Sequence, residues 1–114
     1  MREAEIEHKI LIYLFERGDG FFWKNVSNGY HDGKSFRKQA SPFAFNGSPD
    51  ILGCIRGRLV GFEVKADNGR QSEAQKIFER RIKKSGGRYA VVRSIADVER
   101  CLDEWGISSR DPRS

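Results

Sequence analysis

Cysteine, proline, methionine and histidine are scarce in this sequence: 2 Cys, 3 Pro, 1 Met and 2 His among 114 residues. Cys54 and Cys101 stand far apart, with no Cys-x-x-Cys and no Cys/His cluster. That spacing argues against a zinc site and a disulfide framework, and makes a reducing cytoplasm the expected setting. His8 and His31 match no metal-ligand spacing. Long apolar runs are missing too. None approaches the roughly 20 residues of a membrane span, and no charged-then-apolar leader opens the chain, so no membrane partner is expected. Internal repeats and low-complexity tracts are absent. Disorder is excluded by an aromatic share of 11%, since a chain without a core would lack such side chains.

What is present fits one domain. The length suits a single core, expected over residues 1–107, with residues 108–114 read as a loose tail. Lys plus Arg number 21 against 16 Asp plus Glu, a net charge of +5. The balance favours a polyanionic partner, nucleic acid before membrane.

Ile6, Ile10, Leu11 and Leu14 recur at helical steps and Gly18 stops them, which predicts a helix from about Arg2 to Arg17. Phe21 to Val26 reads as a strand. Residues 27–47 read as one long connection carrying Phe36, Phe43 and Phe45. Asp50 to Ile55 and Arg58 to Ala66 form two strands about an Arg56-Gly57 turn. Ser72 is a candidate N-cap for a helix with Ala74, Ile77, Phe78 and Ile82 inward, and Gly86-Gly87 ends it. Arg88 to Arg93 is a strand, and Ser94 caps a last helix with Ile95, Val98, Leu102 and Trp105 inward. The order α-β-β-β-α-β-α predicts an α/β fold, a mixed sheet flanked by helices.

A two-residue turn at Arg56-Gly57 sets residue 55 against 58 and therefore Asp50 against Glu63. Opposed residues share a sheet face with Cβ atoms about 5 Å apart. Two carboxylates that close repel unless something positive lies between them. Lys65 falls on the same face by the two-residue alternation, as does Cys54, while Val60, Phe62 and Val64 point the other way into a core. Cysteines in such positions are most often buried. Magnesium suits an acid pair of this kind, because it takes hard oxygen ligands and is commonly held by one or two carboxylates. The pattern alone reads equally as an ordinary cross-strand acid pair with a lysine salt bridge on a solvated face.

Gly47-Ser48-Pro49-Asp50-Ile51-Leu52-Gly53, followed thirteen residues after Asp50 by Glu63 within Phe62-Glu63-Val64-Lys65, resembles the PD-(D/E)XK nuclease signature. More narrowly the chain resembles the virus-type replication-repair nuclease (VRR-NUC) family, in its stand-alone phage form. The resemblance extends through Trp23-Lys24-Asn25, Gly69-Arg70-Gln71-Ser72-Glu73-Ala74-Gln75 and Gly86-Gly87. It implies a restriction-endonuclease-like fold and a Mg2+- or Mn2+-dependent endodeoxyribonuclease with no small-molecule cofactor. Branched DNA, four-way junctions above all, is the implied substrate and a homodimer the implied working form. Metal ligands would be Asp50, Glu63, the Val64 carbonyl and an acid of the first helix, with Glu3 preferred to Glu7. Lys65 would be the catalytic lysine and Gln75 a supporting catalytic glutamine. Lys24, Arg37, Lys38 and Arg70 are the candidate phosphate contacts. The loop aromatics would serve a dimer interface or a lid. A nuclease for flaps or splayed arms, and a catalytically inactive nucleic-acid-binding module of the same fold, are the alternatives.

Overall fold

Steps of four carry Ile6, Ile10 and Leu14 down one stripe of α1 (Glu3–Arg17), where all three are buried. The helix ends where Gly18 takes a left-handed conformation (φ 75°) and its N–H donates to the Leu14 carbonyl. In this computed structural model the described residues are 1–26, 30–31, 36–37, 43 and 45–107, with the backbone alone described at 30–31 and 36–37. The expected tail at 108–114 and the candidate phosphate contact Lys38 lie outside them.

Four strands form the main sheet: β1 (Gly20–Lys24), β4 (Ile51–Ile55), β5 (Arg58–Val64) and β6 (Arg88–Val92), in that spatial order. The first three are antiparallel neighbours. The β5–β6 pair is parallel and so needs a crossover, which α2 (Glu73–Lys84) supplies. A short hairpin of β2 (Tyr30–His31) and β3 (Phe36–Arg37) stands apart as its own sheet. It falls within the stretch read as a connection, because a two-residue strand is too short to show a period.

Alternation along β4 and β5 sends Ile51, Ile55, Val60, Phe62 and Val64 to one sheet face. There they meet α1 and α3 (Ile95–Glu104), whose Val98 and Leu102 are fully buried. Phe62 lies between the rings of Phe22 and Trp105, at 6.2 and 5.8 Å. The opposite face is covered by α2 beside β6, where Phe78 approaches Tyr89 at 6.4 Å and Phe45 at 5.5 Å. Gln71 Nε2 braces this side by donating to Glu79 Oε1 and to the Tyr89 hydroxyl. Because α2 covers only one end of that face, Cys54 is exposed, not buried as its strand position suggested.

Candidate active site

The hairpin register is the one the turn dictates: Ile55 faces Arg58, Gly53 faces Val60 and Ile51 faces Phe62. Arg56 and Gly57 both take positive φ (51° and 78°), as a two-residue turn of this hand requires. One step beyond the ladder, Asp50 arrives beside Glu63. Its Oδ2 accepts a 2.8 Å hydrogen bond from the Val64 N–H. Glu63 is 2% exposed, a buried acid beside Asp50. Burial, then the hydrogen bond and charge of Asp50, pushes its carboxyl up to about 8, against the pull of Lys65. Lys65 Nζ stands 3.6 Å from Glu63 Oε2. Asp50, Glu63 and Lys65, read from the sequence as one constellation, are together.

Pro49 leads into Asp50 just outside the β4–β5 ladder, and the Val64 N–H on the β4 side is taken up by the Asp50 carboxylate. The Pro49 ring lies over Gly61, where a Cβ would come within 2.7 Å of Pro49 Cγ. Gly61 is therefore part of how the acid is held.

The first helix brings its acids to the same end of the sheet. Glu7 is half-buried, with Lys24 Nζ 3.7 Å from its Oε2. Burial raises its pKa, Lys24 pulls it back, and the charge of Asp50 adds to the rise, which places Glu7 within electrostatic reach of Asp50. Glu3 is exposed, and its Oε2 lies 3.5 Å from the Ala66 N–H, beyond Lys65. Glu7 thus lies toward Lys24 and Asp50, and Glu3 toward the backbone that follows Lys65.

Gln75 does not reach into this group through its oxygen. Ser72 Oγ accepts from the Gln75 N–H at 3.1 Å and Gln75 Oε1 accepts from the Ser72 N–H at 2.8 Å, a complete capping box. The Ser-x-x-Gln spacing thus has a helix-capping cause, and Nε2 keeps both of its donors for another partner. Arg70 is exposed beside a groove of about 570 Å³ lined also by Asn68, Gln71, Lys76 and Arg93. Lys24 is exposed apart from its contact with Glu7. Arg37 lies on β3.

Two residues were given no role from the sequence, although Asn25 lies in the Trp23-Lys24-Asn25 stretch of the resemblance. Arg93 donates to the carbonyls of Ala66, Asp67 and Gly69, pinning the turn that follows Lys65. Asn25 holds residues 48–50 by three hydrogen bonds. Neither carries a local signal, since each acts on backbone far away in sequence.

No ion-binding group of three or more His, Cys, Asp or Glu occurs among the described residues. The fit to a divalent cation rests on a different feature. Glu63 Oε1 is buried and has no hydrogen-bond partner among the described residues. A buried oxygen without a donor is costly unless a cation satisfies it. Two carboxylates and a carbonyl are hard oxygen donors of the kind magnesium takes, with water and phosphate completing the shell.

An α/β sandwich with an acid pair and a lysine at the open end of a hairpin is the framework of the PD-(D/E)XK class. No family model and no curated protein sequence matches this chain. Among solved structures it is similar to a VRR-NUC domain, at 27% identity, over 90% of this chain and 94% of the other, with a TM-score of 0.59. The resemblance read in the Asp50–Glu63–Lys65 motif is borne out as a resemblance: the chain has an α/β, restriction-endonuclease-like fold and is similar to a VRR-NUC domain.

Proposed function

We propose that this chain is a metal-dependent endonuclease that hydrolyses phosphodiester bonds in branched DNA, four-way junctions above all, and that it works as a homodimer. The observation that carries the proposal is the buried Asp50–Glu63 pair, with one oxygen lacking a partner and Lys65 at 3.6 Å. Asp50, Glu63 and the Val64 carbonyl would hold Mg2+ or Mn2+, with Glu7 of α1 as the helix acid in place of Glu3. The chemistry such an ion would supply there is a more acidic water for hydrolysis and positive charge for the departing oxyanion. Lys65 neutralises charge gathering on the phosphorus oxygens. Arg70 and Lys76 beside their groove supply positive charge for the strand leaving the site.

The inactive-module reading is disfavoured on energetic grounds. A fold that only bound DNA would have no use for two repelling acids, one of them buried with an unmet oxygen. Support for the dimer comes from the outer edge of the sheet. Phe21 on the edge strand β1 and Phe15 on the helix packed against it are 70% and 86% exposed, more aromatic surface than a lone domain of this size needs. A two-fold protein matches a nearly two-fold junction, with one site for each of two nicks.

Labelled four-way junction, flap, splayed-arm and plain duplex substrates, incubated at one salt concentration with Mg2+ or with chelator, test the proposal. Paired symmetric nicks on the junction, only with metal, are expected. Equal cutting of all four substrates would remove the junction preference, and sedimentation as a 13.1 kDa monomer during paired nicking would remove the dimer.

A further inference from the structure

We infer that Asn25 is a positioning residue for Asp50, fixing the acid where it and Glu63 can share a cation; the inference rests on the metal-site reading above. Asp50 lies one residue before β4, at the end of a long connection, where the strand ladder alone does not define it. Asn25 lies one residue past the end of β1, continuing the register in which Lys24 faces Ile51. Its backbone N–H donates to the Asp50 carbonyl at 2.7 Å. Its side-chain Nδ2 donates to Ser48 Oγ at 2.7 Å and to the Pro49 carbonyl at 3.1 Å. One residue thus holds three consecutive residues, 48, 49 and 50.

The chemistry demands this side chain. Both side-chain bonds need an amide that donates twice, at the reach of a single methylene. Aspartate has no donor to offer the Pro49 carbonyl, and glutamine overshoots by a carbon. Pro49 is buried, so its carbonyl would otherwise lose a partner. Without Asn25, the Val64 N–H would anchor the Asp50 carboxylate while the peptide carrying it drifted. The neighbouring Lys24 contacts Glu7, so the end of β1 adjusts the helix acid and the strand acid together.

The test separates positioning from simple stability. Mn2+ binding to the full-length, DNA-free protein is measured by calorimetry for wild type, Asp50→Asn and Asn25→Ala, alongside thermal melting and the Mg2+ dependence of nicking. Asn25→Ala is expected to stay folded and bind Mn2+ about 10-fold or more weakly, the usual loss when a ligand's own support is removed. Half-saturating Mg2+ should rise by a similar factor, while the rate at saturating metal stays within about threefold. A lower melting temperature with unchanged metal affinity would overturn the inference and make Asn25 a purely structural clamp. Should Asn25→Ala not fold, Ser48→Ala, which removes one of the two side-chain bonds, is expected to weaken Mn2+ binding in the same direction; no change there overturns the inference. Failure of the wild type itself to bind Mn2+, or equal binding by Asp50→Asn, would refute the metal-site reading and overturn the inference with it, an outcome distinct from Asp50-dependent binding that Asn25→Ala leaves unchanged.

Discussion

Replacing Glu63 with glutamine should stabilise the metal-free protein at pH 8 and destroy its activity. The buried carboxyl titrates near 8 in the fold and near 4.5 when exposed. The folded state therefore holds a proton that the unfolded state releases across that window, so stability falls as pH rises from about 4.5 to about 8. At about 1.4 kcal/mol per unit, the loss reaches at most roughly 4–5 kcal/mol, and relaxation of the pair should reduce it to about 2 kcal/mol. Glutamine keeps the shape and carries no charge, so Glu63→Gln should melt about 8 °C above wild type at pH 8 for a domain of this size. At pH 5 the wild-type carboxyl is protonated and the gap should close to within about 0.5 kcal/mol. Differential scanning calorimetry in chelator at both pH values measures this directly. Excess Mg2+ at pH 8 should stabilise the wild type and leave the variant unmoved. An equal gain at both pH values, or no gain at pH 8, would refute the strained acid pair.

Asp50→Ala and Lys65→Ala should each lower nicking by about 10² or more while near-native circular dichroism is kept, because each removes charge stabilisation at the reacting phosphate. Glu7→Gln should cost at least about 10-fold in activity and raise the Mg2+ requirement, whereas Glu3→Gln should stay within about threefold; the reverse order would return the role to Glu3. Gly61→Ala should destabilise by about 1–3 kcal/mol in denaturant titrations and displace Pro49, since the added methyl meets that ring. Arg70→Ala should weaken binding of every DNA probe alike and reduce the slope of log affinity against log salt by about 1.

The strands, the helix caps and the acid pair were legible because local chemistry specifies them. A Gly57 after Arg56 sets a two-residue turn, the turn sets the register, and the register carries Asp50 to Glu63 without tertiary information. Ser72 and Ser94 cap their helices as their positions imply. The choice between Glu3 and Glu7 was not legible. Both lie near the start of α1, and what each meets, Lys24 for Glu7 and the Ala66 N–H for Glu3, is a matter of packing. Gln75 shows the converse: its spacing from Ser72 was visible, yet the same spacing closes a capping box. The roles of Asn25, which the resemblance named without assigning one, and of Arg93 were not legible because a side chain that holds distant backbone leaves no periodic trace.

The central claim is that Asp50 and Glu63 jointly hold a divalent cation that makes this chain a nuclease. Its most direct test is cleavage of a labelled four-way junction by chelator-treated protein as Mg2+ is titrated in, with Asp50→Asn and Glu63→Gln run beside the wild type. Cutting that is absent in chelator, rises with Mg2+ in the wild type and stays absent in both variants is the predicted result. Cutting in chelator, or Mg2+-dependent cutting by either variant at the wild-type rate, would contradict it.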